Sequence, residues 1–190
     1  TFVRALNDLN FEDSFSSYCA VEAWGGVACW GDNTLGQLGQ GDNPGTAGIS
    51  SGPQICDQSF SPGVRSCSPV PVIVHADREG NINTAAGIVA GRAQYCANLL
   101  SGAVDCWGLN SQGSLGDGTP IDPNVNLSLG PEYCGNLGPD SHAPCSTSPV
   151  RVRLGSGIGS EIGATQVVAQ QRALCGLVPV SGRVTCWGEG

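Results

Sequence analysis

Short apolar runs recur along the chain, separated by stretches rich in glycine, proline, serine and asparagine. Many of these runs come in pairs around a glycine-containing turn, which is the sequence signature of a β-hairpin. No stretch shows the 3.6-residue period of an amphipathic helix. The pattern therefore predicts an all-β protein.

The stretch 95–108 is the clearest of these hairpins, and its arrangement returns at 18–31 and 174–188. Pairing Cys96 with Cys106 leaves a three-residue loop, Leu100-Ser101-Gly102, whose last position favours a left-handed glycine. Cysteines that face each other at a non-hydrogen-bonded position of two antiparallel strands lie close enough to be bridged. Each hairpin is therefore predicted to carry its own cross-strand disulfide, which stabilises it by roughly 2–3 kcal/mol on the loop-entropy model.

The ten cysteines are predicted to pair locally, because each pair spans ten or eleven residues and recurs along the chain. An even number of cysteines at recurring spacings indicates a disulfide framework and an oxidising compartment. A zinc site is the weaker alternative, because no C-x₂-C pair is present and both histidines lie far from any thiol cluster. The five predicted disulfides are Cys19–Cys29, Cys56–Cys67, Cys96–Cys106, Cys134–Cys145 and Cys175–Cys186.

The cysteines also measure an internal repeat, since the first cysteines of successive hairpins lie 77 and 79 residues apart and the corresponding cysteines of the two insertions lie 78 apart. Four short strands per period match a propeller blade, which is a four-stranded antiparallel sheet stacked around an axis. Two of the three cycles contain a loop insertion closed by its own cysteine pair. The predicted units are cycle 1 at 1–74 with an insertion at about 43–67, cycle 2 at 75–153 with an insertion at about 119–147, and a partial cycle 3 at 154–190.

Two motifs carry a family resemblance. Gly-x-Val-x-Cys-Trp-Gly-x-Asn-x-x-Gly-x-Leu-Gly-x-Gly stands at 25–41 and 102–118, and Ser-Pro-Val-x-Val stands at 68–72 and 148–152. They resemble the repeat of the regulator of chromosome condensation family, which implies a seven-bladed β-propeller. The paired hairpin cysteines look like those of extracellular bacterial members.

The resemblance predicts an array of two to three blades, which is fewer than the four or more of a closed propeller. We therefore expect the chain not to close a propeller by itself. Either it is part of a longer propeller, or several copies complete one another's sheets. Recurring tryptophans at Trp30, Trp107 and Trp187 are expected to pack between blades.

Known functions in this family range from nucleotide exchange on a small GTPase with chromatin binding, to inhibition of β-lactamases, to surface proteins. A formal net charge of −8 without a single lysine argues against nucleic acid as a partner. The disulfide framework argues against the intracellular exchange activity. No apolar run reaches the eighteen or so residues that span a bilayer.

Catalytic candidates are weak. His75 precedes Asp77 and Glu79 and could be imagined as a relay, but a solvated turn explains it, and the same holds for His142. No nucleophile elbow, P-loop or zinc-protease motif is present. The sequence predicts neither an enzyme nor a cofactor.

Four other residues are candidates for binding or modification. Asp117 and Asp122 could offer oxygens to calcium, but turn chemistry explains them equally, so no metal is predicted. Asn126 begins the only N-x-[ST] sequon and is a candidate glycosylation site on an insertion. Trp24 does not recur, lies at a hairpin tip, and is a candidate contact residue for sugar or protein.

The sequence thus predicts an extracellular or cell-surface structural or adhesive repeat protein built on a rigid, disulfide-stapled propeller. The alternative is a secreted binding module, either an enzyme inhibitor or a lectin-like propeller. The partner would be a protein, a glycan or further copies of the chain.

Overall fold

A computed structural model describes residues 2–6, 16–41, 54–57, 65–75, 82–122, 127–128, 132–134, 143–153, 162–179 and 181–189. Within these ranges the secondary structure consists of strands and one short 3-10 helix, Ser111–Gly113. The strands are β1 (Phe2–Leu6), β2 (Ser16–Val21), β3 (Val27–Asp32), β4 (Gln54–Asp57), β5 (Arg65–Ile73), β6 (Ala85–Ala90), β7 (Gln94–Leu99), β8 (Val104–Leu109), β9 (Ile121–Asp122), β10 (Leu127–Ser128), β11 (Glu132–Cys134), β12 (Ala143–Arg151), β13 (Gln166–Gln170), β14 (Ala173–Val178) and β15 (Arg183–Gly188).

Three antiparallel sheets account for nearly all of these strands. The first sheet has the order β1-β2-β3-β5-β4, the second has the order β11-β12-β8-β7-β6, and the third contains β13-β14-β15. A separate pair, β9 and β10, lies in the second insertion. The predicted all-β architecture is confirmed, and the two larger sheets each gain a fifth, outer strand, β4 or β11, from within an insertion.

Every central hairpin has the predicted register. Cys19 is paired with Cys29 across β2 and β3, and the equivalent cysteines are paired in the other two hairpins. The Cα atoms of each of these pairs lie 4.1 Å apart, as expected at a non-hydrogen-bonded position. The disulfides of the structure are Cys19–Cys29, Cys96–Cys106, Cys134–Cys145 and Cys175–Cys186.

The fifth predicted disulfide involves a side chain outside the described residues. Cys56 lies in β4, but only the backbone of that strand is described. Cys67 in β5 is buried and disulfide-bonded. The Cys56–Cys67 pairing therefore stays a prediction.

The loop between β7 and β8 shows why glycine is needed at the hairpin tip. Gly102 has φ +88° and donates its N–H to the carbonyl of Leu99 at 2.8 Å. The N–H of Leu99 in turn bonds the carbonyl of Ala103. This is the predicted three-residue loop, with its glycine in the left-handed region that a side chain disfavours.

The register of the Pro-Val strands differs from the sequence match. The motif aligned Ser68 with Ser148, whereas the structure aligns Ser68 with Ser146, two residues earlier. The Oγ hydroxyl of each serine donates a 2.6 Å hydrogen bond to the backbone carbonyl two residues further along the chain. Pro71 of β5 and Pro149 of β12 therefore occupy equivalent positions in the two sheets.

The apolar core lies between the sheets. One buried cluster joins residues of the first and second sheets around Trp107, and a second joins the second and third sheets around Leu115. The sheets therefore stack face to face, and each buries its apolar side chains against the next.

Candidate binding surface

The two described glycine-rich turns, which follow the first and second central hairpins, are each held by an asparagine. The side-chain oxygen of Asn33 accepts the N–H of Leu38 at 2.9 Å, and Asn110 does the same for Leu115. In the first turn Gln37 also donates to the carboxylate of Asp32 at 2.8 Å. These buried bonds fix the turns, so they present a rigid surface to the next sheet.

Two of the three recurring tryptophans, Trp107 and Trp187, pack on those turns, as predicted, whereas the ring contact described for Trp30 is with Tyr18 of its own hairpin. Trp107 of the second sheet is fully buried, and its Nε1 donates to the carbonyl of Gln37 in the first turn at 2.9 Å. A Cβ added at Gly39 would lie 3.0 Å from the same indole nitrogen, so the turn must carry glycine there. In the same way, a Cβ added at Gly116 in the second turn would lie 2.9 Å from the indole nitrogen of Trp187 in the third sheet. Each indole therefore locks one sheet to the preceding one.

Trp24 occupies the position that serine holds in the other two hairpin tips. Ser101 and Ser181 each accept, through Oγ, the N–H of the residue two places ahead. Trp24 cannot make that bond, and its side chain is 56% exposed. The first tip has therefore exchanged a turn-forming hydroxyl for an exposed indole.

The indole of Trp24 lies against the backbone of its own turn. A Cβ added at Gly26 would overlap the six-membered ring of Trp24, so glycine makes room for the ring. The turn itself is closed by the N–H of Glu22, which bonds the carbonyl of Gly26 at 2.8 Å. One ring face is covered by the tip, which leaves a fixed aromatic surface of the kind that sugars and proteins contact.

The signal that identifies Trp24 is available in the sequence but needs the correct alignment. When the three tips are aligned on the turn glycines Gly25, Gly102 and Gly182, Trp24 falls on Ser101 and Ser181. The lack of a tryptophan at the other two tips does not by itself reveal that Trp24 replaces a serine.

The remaining candidate residues form no cluster in the described part of the chain. Asp117 is engaged in its own turn, where its carboxylate accepts from Thr119 and from Nδ2 of Asn110. His75 is exposed, and its backbone N–H donates to the carbonyl of Gly39 at 2.9 Å. The side chains of Asp77, Glu79, Asp122, Asn126 and His142 lie outside the described residues.

One group of potential metal ligands consists of Glu132, Cys134 and Cys145, whose ligand atoms lie within 4.8 Å of one another. Both sulfurs belong to a disulfide, so neither is a thiolate available to a metal. The Glu132 carboxylate accepts from the hydroxyl of Thr147 at 2.7 Å. The group is therefore structural. Among the described residues no helix is long and apolar enough to cross a membrane.

The comparisons with known proteins address the fold. No protein-family model matches the chain. The human protein named probable E3 ubiquitin-protein ligase HERC3 is 28% identical over an alignment of 223 residues, which covers 98% of this chain and 18% of HERC3.

Solved structures give the same picture. Yeast RCC1 (Prp20) bound to Kap60 superposes with a TM-score of 0.55 at 16% identity, covering 90% of this chain and 30% of that one. Human WBSCR16 gives 0.55 at 16% identity, covering 95% and 34%. Prp20p from Saccharomyces cerevisiae, a structure described together with its binding to Gsp1p and histones, gives 0.55 at 15% identity, covering 90% and 31%.

The chain thus spans about a fifth of HERC3 and about a third of each solved structure. At these identities the structural matches establish the fold and nothing finer. The stacked antiparallel sheets, the indole that locks each sheet to the one before it and these matches together show that the chain has the RCC1-like β-propeller fold, with disulfides across its hairpins.

Proposed function

We propose that the chain is part of an extracellular structural or adhesive protein, in which disulfide-stapled blades form a rigid body that presents its hairpin tips. The observation that carries this is the bonding of the cysteines: among the described residues none is free. Three of the bonds tie together the central strands of a blade, where reduction would loosen the whole sheet. Such bonds persist in oxidising compartments.

The thiol state of native protein tests this proposal. Native material is alkylated under denaturing conditions without reductant and analysed by mass spectrometry. We expect no alkylated cysteine among the ten, and the five local disulfides after peptide mapping. Alkylation of most cysteines, or a link between two cycles, would contradict the proposal.

The repeat cycles 1–74, 75–153 and 154–190 are proposed as the structural units. Their support is that the strands of each large sheet come from one of these stretches. Limited proteolysis without reductant should cut between cycles or within insertions, and leave the stapled hairpins intact. Asn126 in the second insertion is the proposed glycan acceptor, which glycosidase treatment of native protein would test by a loss of mass.

We propose that this part of the protein has no catalytic turnover. The support is the lack of a paired base and nucleophile among the described side chains. Ligase activity is named for HERC3, of which this chain spans only 18%. Hydrolysis of a peptide, ester or glycan that is lost on changing His75 or His142 would contradict this.

A protein partner is favoured, because one of the structurally similar proteins, yeast Prp20, is described with the proteins Kap60, Gsp1p and histones. Those particular partners are not proposed for this chain, and nucleic acid is not proposed either, because the net charge is −8. Assembly with further copies is the corresponding proposal for a structural role, which sedimentation of purified protein would reveal as concentration-dependent association.

A second candidate function, a secreted binding module, is favoured by Trp24. An exposed indole fixed against Gly26 replaces a serine that serves the turn elsewhere. The Trp24→Ser variant therefore restores the chemistry of the other tips and should fold normally. Leu100→Ser, which removes an exposed apolar side chain from the second tip, is the matched control.

Both variants and the wild type are applied to a glycan array and to a panel of secreted hydrolases. A binding module should recognise one glycan class or inhibit one hydrolase, and lose this at least tenfold in Trp24→Ser but not in Leu100→Ser. A loss of roughly that size corresponds to one aromatic contact of about 1.4 kcal/mol. No binding by the wild type would leave the structural or adhesive role as the better proposal.

A further inference from the structure

One short segment lies between the tips of the first and second hairpins. A Cβ added at Gly25 of the first tip would overlap the backbone carbonyl of Asn83, and the N–H of Ala85 bonds the carbonyl of Gly25 at 2.9 Å. On the other side, the N–H of Leu100 in the second tip bonds the carbonyl of Thr84 at 2.8 Å. The two tips and the segment therefore form one continuous surface, which we call the tip surface. Its exposed residues are Glu22, Trp24, Asn83, Thr84, Leu100 and Ser101.

The second tip shows that this exposure belongs to the fold. It has a neighbour on each side, because segment 83–84 connects it to the first tip, and the N–H of Ala164 before the third sheet bonds the carbonyl of Gly102 at 2.7 Å. Leu100 is nevertheless 77% exposed, and Ser101 is exposed as well. Trp24 occupies the place of Ser101, so sheets packed on both sides of the first hairpin would still leave its indole accessible.

The indole of Trp24 supplies the apolar part of the tip surface. One ring face lies on Gly26, so the side chain is held in place before a ligand arrives, and 56% of it is open to water. A side chain that is already fixed loses little conformational freedom on binding. The ring is therefore a pre-organised platform for a flat apolar face of a ligand.

The polar part of the tip surface consists of the amide of Asn83 and the hydroxyl of Thr84. Both residues are exposed, and neither side chain takes part in a hydrogen bond within the described part of the chain. Amide and hydroxyl groups can both donate and accept hydrogen bonds. Glu22 is the one charged residue of the tip surface, and its carboxylate repels anions. The tip surface thus suits a neutral ligand with several hydroxyl groups.

This combination fits a sugar better than a protein. A pyranose ring has a face of C–H groups that can stack on an indole, and a rim of hydroxyl groups that form hydrogen bonds. A protein partner would need about 800 Å² of surface per side, with aromatic or apolar anchors clustered at its centre. Trp24 and Leu100 form no such cluster, because segment 83–84 lies between their tips.

We propose that the tip surface is a binding site for a neutral pyranose, which stacks on the open face of Trp24 and hydrogen-bonds to the side chains of Asn83 and Thr84. The carboxylate of Glu22 makes the site select against acidic sugars. The proposal rests on the binding-module function proposed above, and it names the ligand class of that function.

The test uses the methyl glycosides of galactose, glucose, mannose and N-acetylglucosamine as probes. Binding of each probe to the intact, oxidised chain is measured by saturation-transfer-difference NMR, which detects weak binding and identifies the sugar protons that contact the protein. At least one glycoside should bind, with the strongest transfer to the C–H protons of one ring face. Trp24→Ser should weaken its binding about tenfold, whereas Trp24→Phe should retain part of the affinity and Leu100→Ser all of it.

Two further variants separate the polar contacts from the effect of charge. Asn83→Ala removes the amide but keeps the backbone carbonyl that contacts Gly25, and should weaken binding about fivefold. The uronic acid form of the best-bound glycoside should bind about twofold more weakly than the neutral form, because its carboxylate is repelled by that of Glu22. Glu22→Gln should remove this difference.

Three outcomes would overturn the proposal: no saturation transfer to any of the four glycosides, equal binding by the wild type and Trp24→Ser, or equal binding of the acidic and neutral sugars by the wild type. Far-UV circular dichroism of each variant shows whether a loss of binding is a loss of fold. Inhibition of a secreted hydrolase that depends on Trp24, without glycoside binding, would overturn the sugar proposal and leave the binding-module function intact. The absence of both activities would overturn both proposals.

Discussion

The two junctions between successive sheets use equivalent positions but opposite chemistry. The first junction consists of Leu35 in the first glycine-rich turn, Ala93 before β7 and Leu109 at the end of β8. All three are buried, and they pack with the disulfide-bonded Cys134 and Cys145 in one apolar cluster.

The second junction consists of Gln112, Arg172 and Glu189, which stand at the same places one sheet further along. The guanidinium of Arg172 donates to Gln112 at 3.3 Å and to Glu189 at 3.4 Å. The side chain of Arg172 is 27% exposed and that of Glu189 is 51% exposed. A polar triad thus replaces the apolar one.

The backbone proves that the positions correspond. The N–H of Leu109 bonds the carbonyl of Ala93 at 2.9 Å, and the N–H of Glu189 bonds the carbonyl of Arg172 at 3.3 Å. Leu109 is paired with Cys145 of β12 and lies in the apolar cluster. Arg172 and Glu189 are partly exposed, and Arg172 is hydrogen-bonded to both Gln112 and Glu189. A polar group is costly to bury only where it has neither water nor a partner, so the second junction can carry these residues.

The largest expected difference between the junctions concerns their tryptophans. Trp107→Ala removes a fully buried indole and its bond to the Gln37 carbonyl, and should lower the free energy of unfolding by about 3–5 kcal/mol. Trp187→Ala should cost less, about 1–2 kcal/mol, because Trp187 is half-buried and its Nε1 has no partner among the described residues. Urea denaturation followed by far-UV circular dichroism measures both. Equal losses of unfolding free energy in the two variants would contradict the described difference between the junctions.

An exchange of residues between the junctions should have a smaller but asymmetric effect. Leu35→Gln places an amide in the apolar cluster and should cost about 3 kcal/mol, from lost burial and an unsatisfied polar group. Gln112→Leu changes a half-buried residue and should stay within about 0.5 kcal/mol. Leu35→Met, which keeps the volume and the apolar character, is the control, and should cost under about 1.5 kcal/mol. If the two exchanges cost the same, the junctions do not differ as described.

Much of the fold could be predicted because its signals are local. The hairpin register follows from the spacing of Cys96 and Cys106 around a turn glycine, and β7 and β8 pair accordingly. The indole at Trp107 recurs in register and packs between sheets as expected. Residues close together in the sequence determine the hairpin register and the place of the tryptophan, so both could be predicted from the sequence.

Features set by distant pairing were predicted less well. The repeated Pro-Val dipeptides between Pro69 and Val72 fit two registers, and the contact of Val72 with Cys29 on another strand decides between them. The outer strands β4 and β11 lie in insertions without strong strand signals, and form because β5 and β12 offer them an edge. The polarity of the second junction could not be predicted, since access to water depends on which strands cover it.

The smallest expected effect tests whether the ion pair of the second junction contributes to stability at all. Glu189→Gln removes the carboxylate that Arg172 contacts, but both side chains are partly exposed, so the loss should be under about 1 kcal/mol. Because salt screens exposed charges, the difference from the wild type should shrink between low salt and about 1 M sodium chloride, where the Debye length is about 3 Å. Glu22→Gln removes an exposed carboxylate from the first hairpin tip, and controls for the change in net charge. The stability of both variants is measured by urea denaturation at the two salt concentrations. A loss in Glu189→Gln that does not change with salt would mean that the carboxylate acts by packing or hydrogen bonding, and that the second junction is less open to water than its exposure indicates.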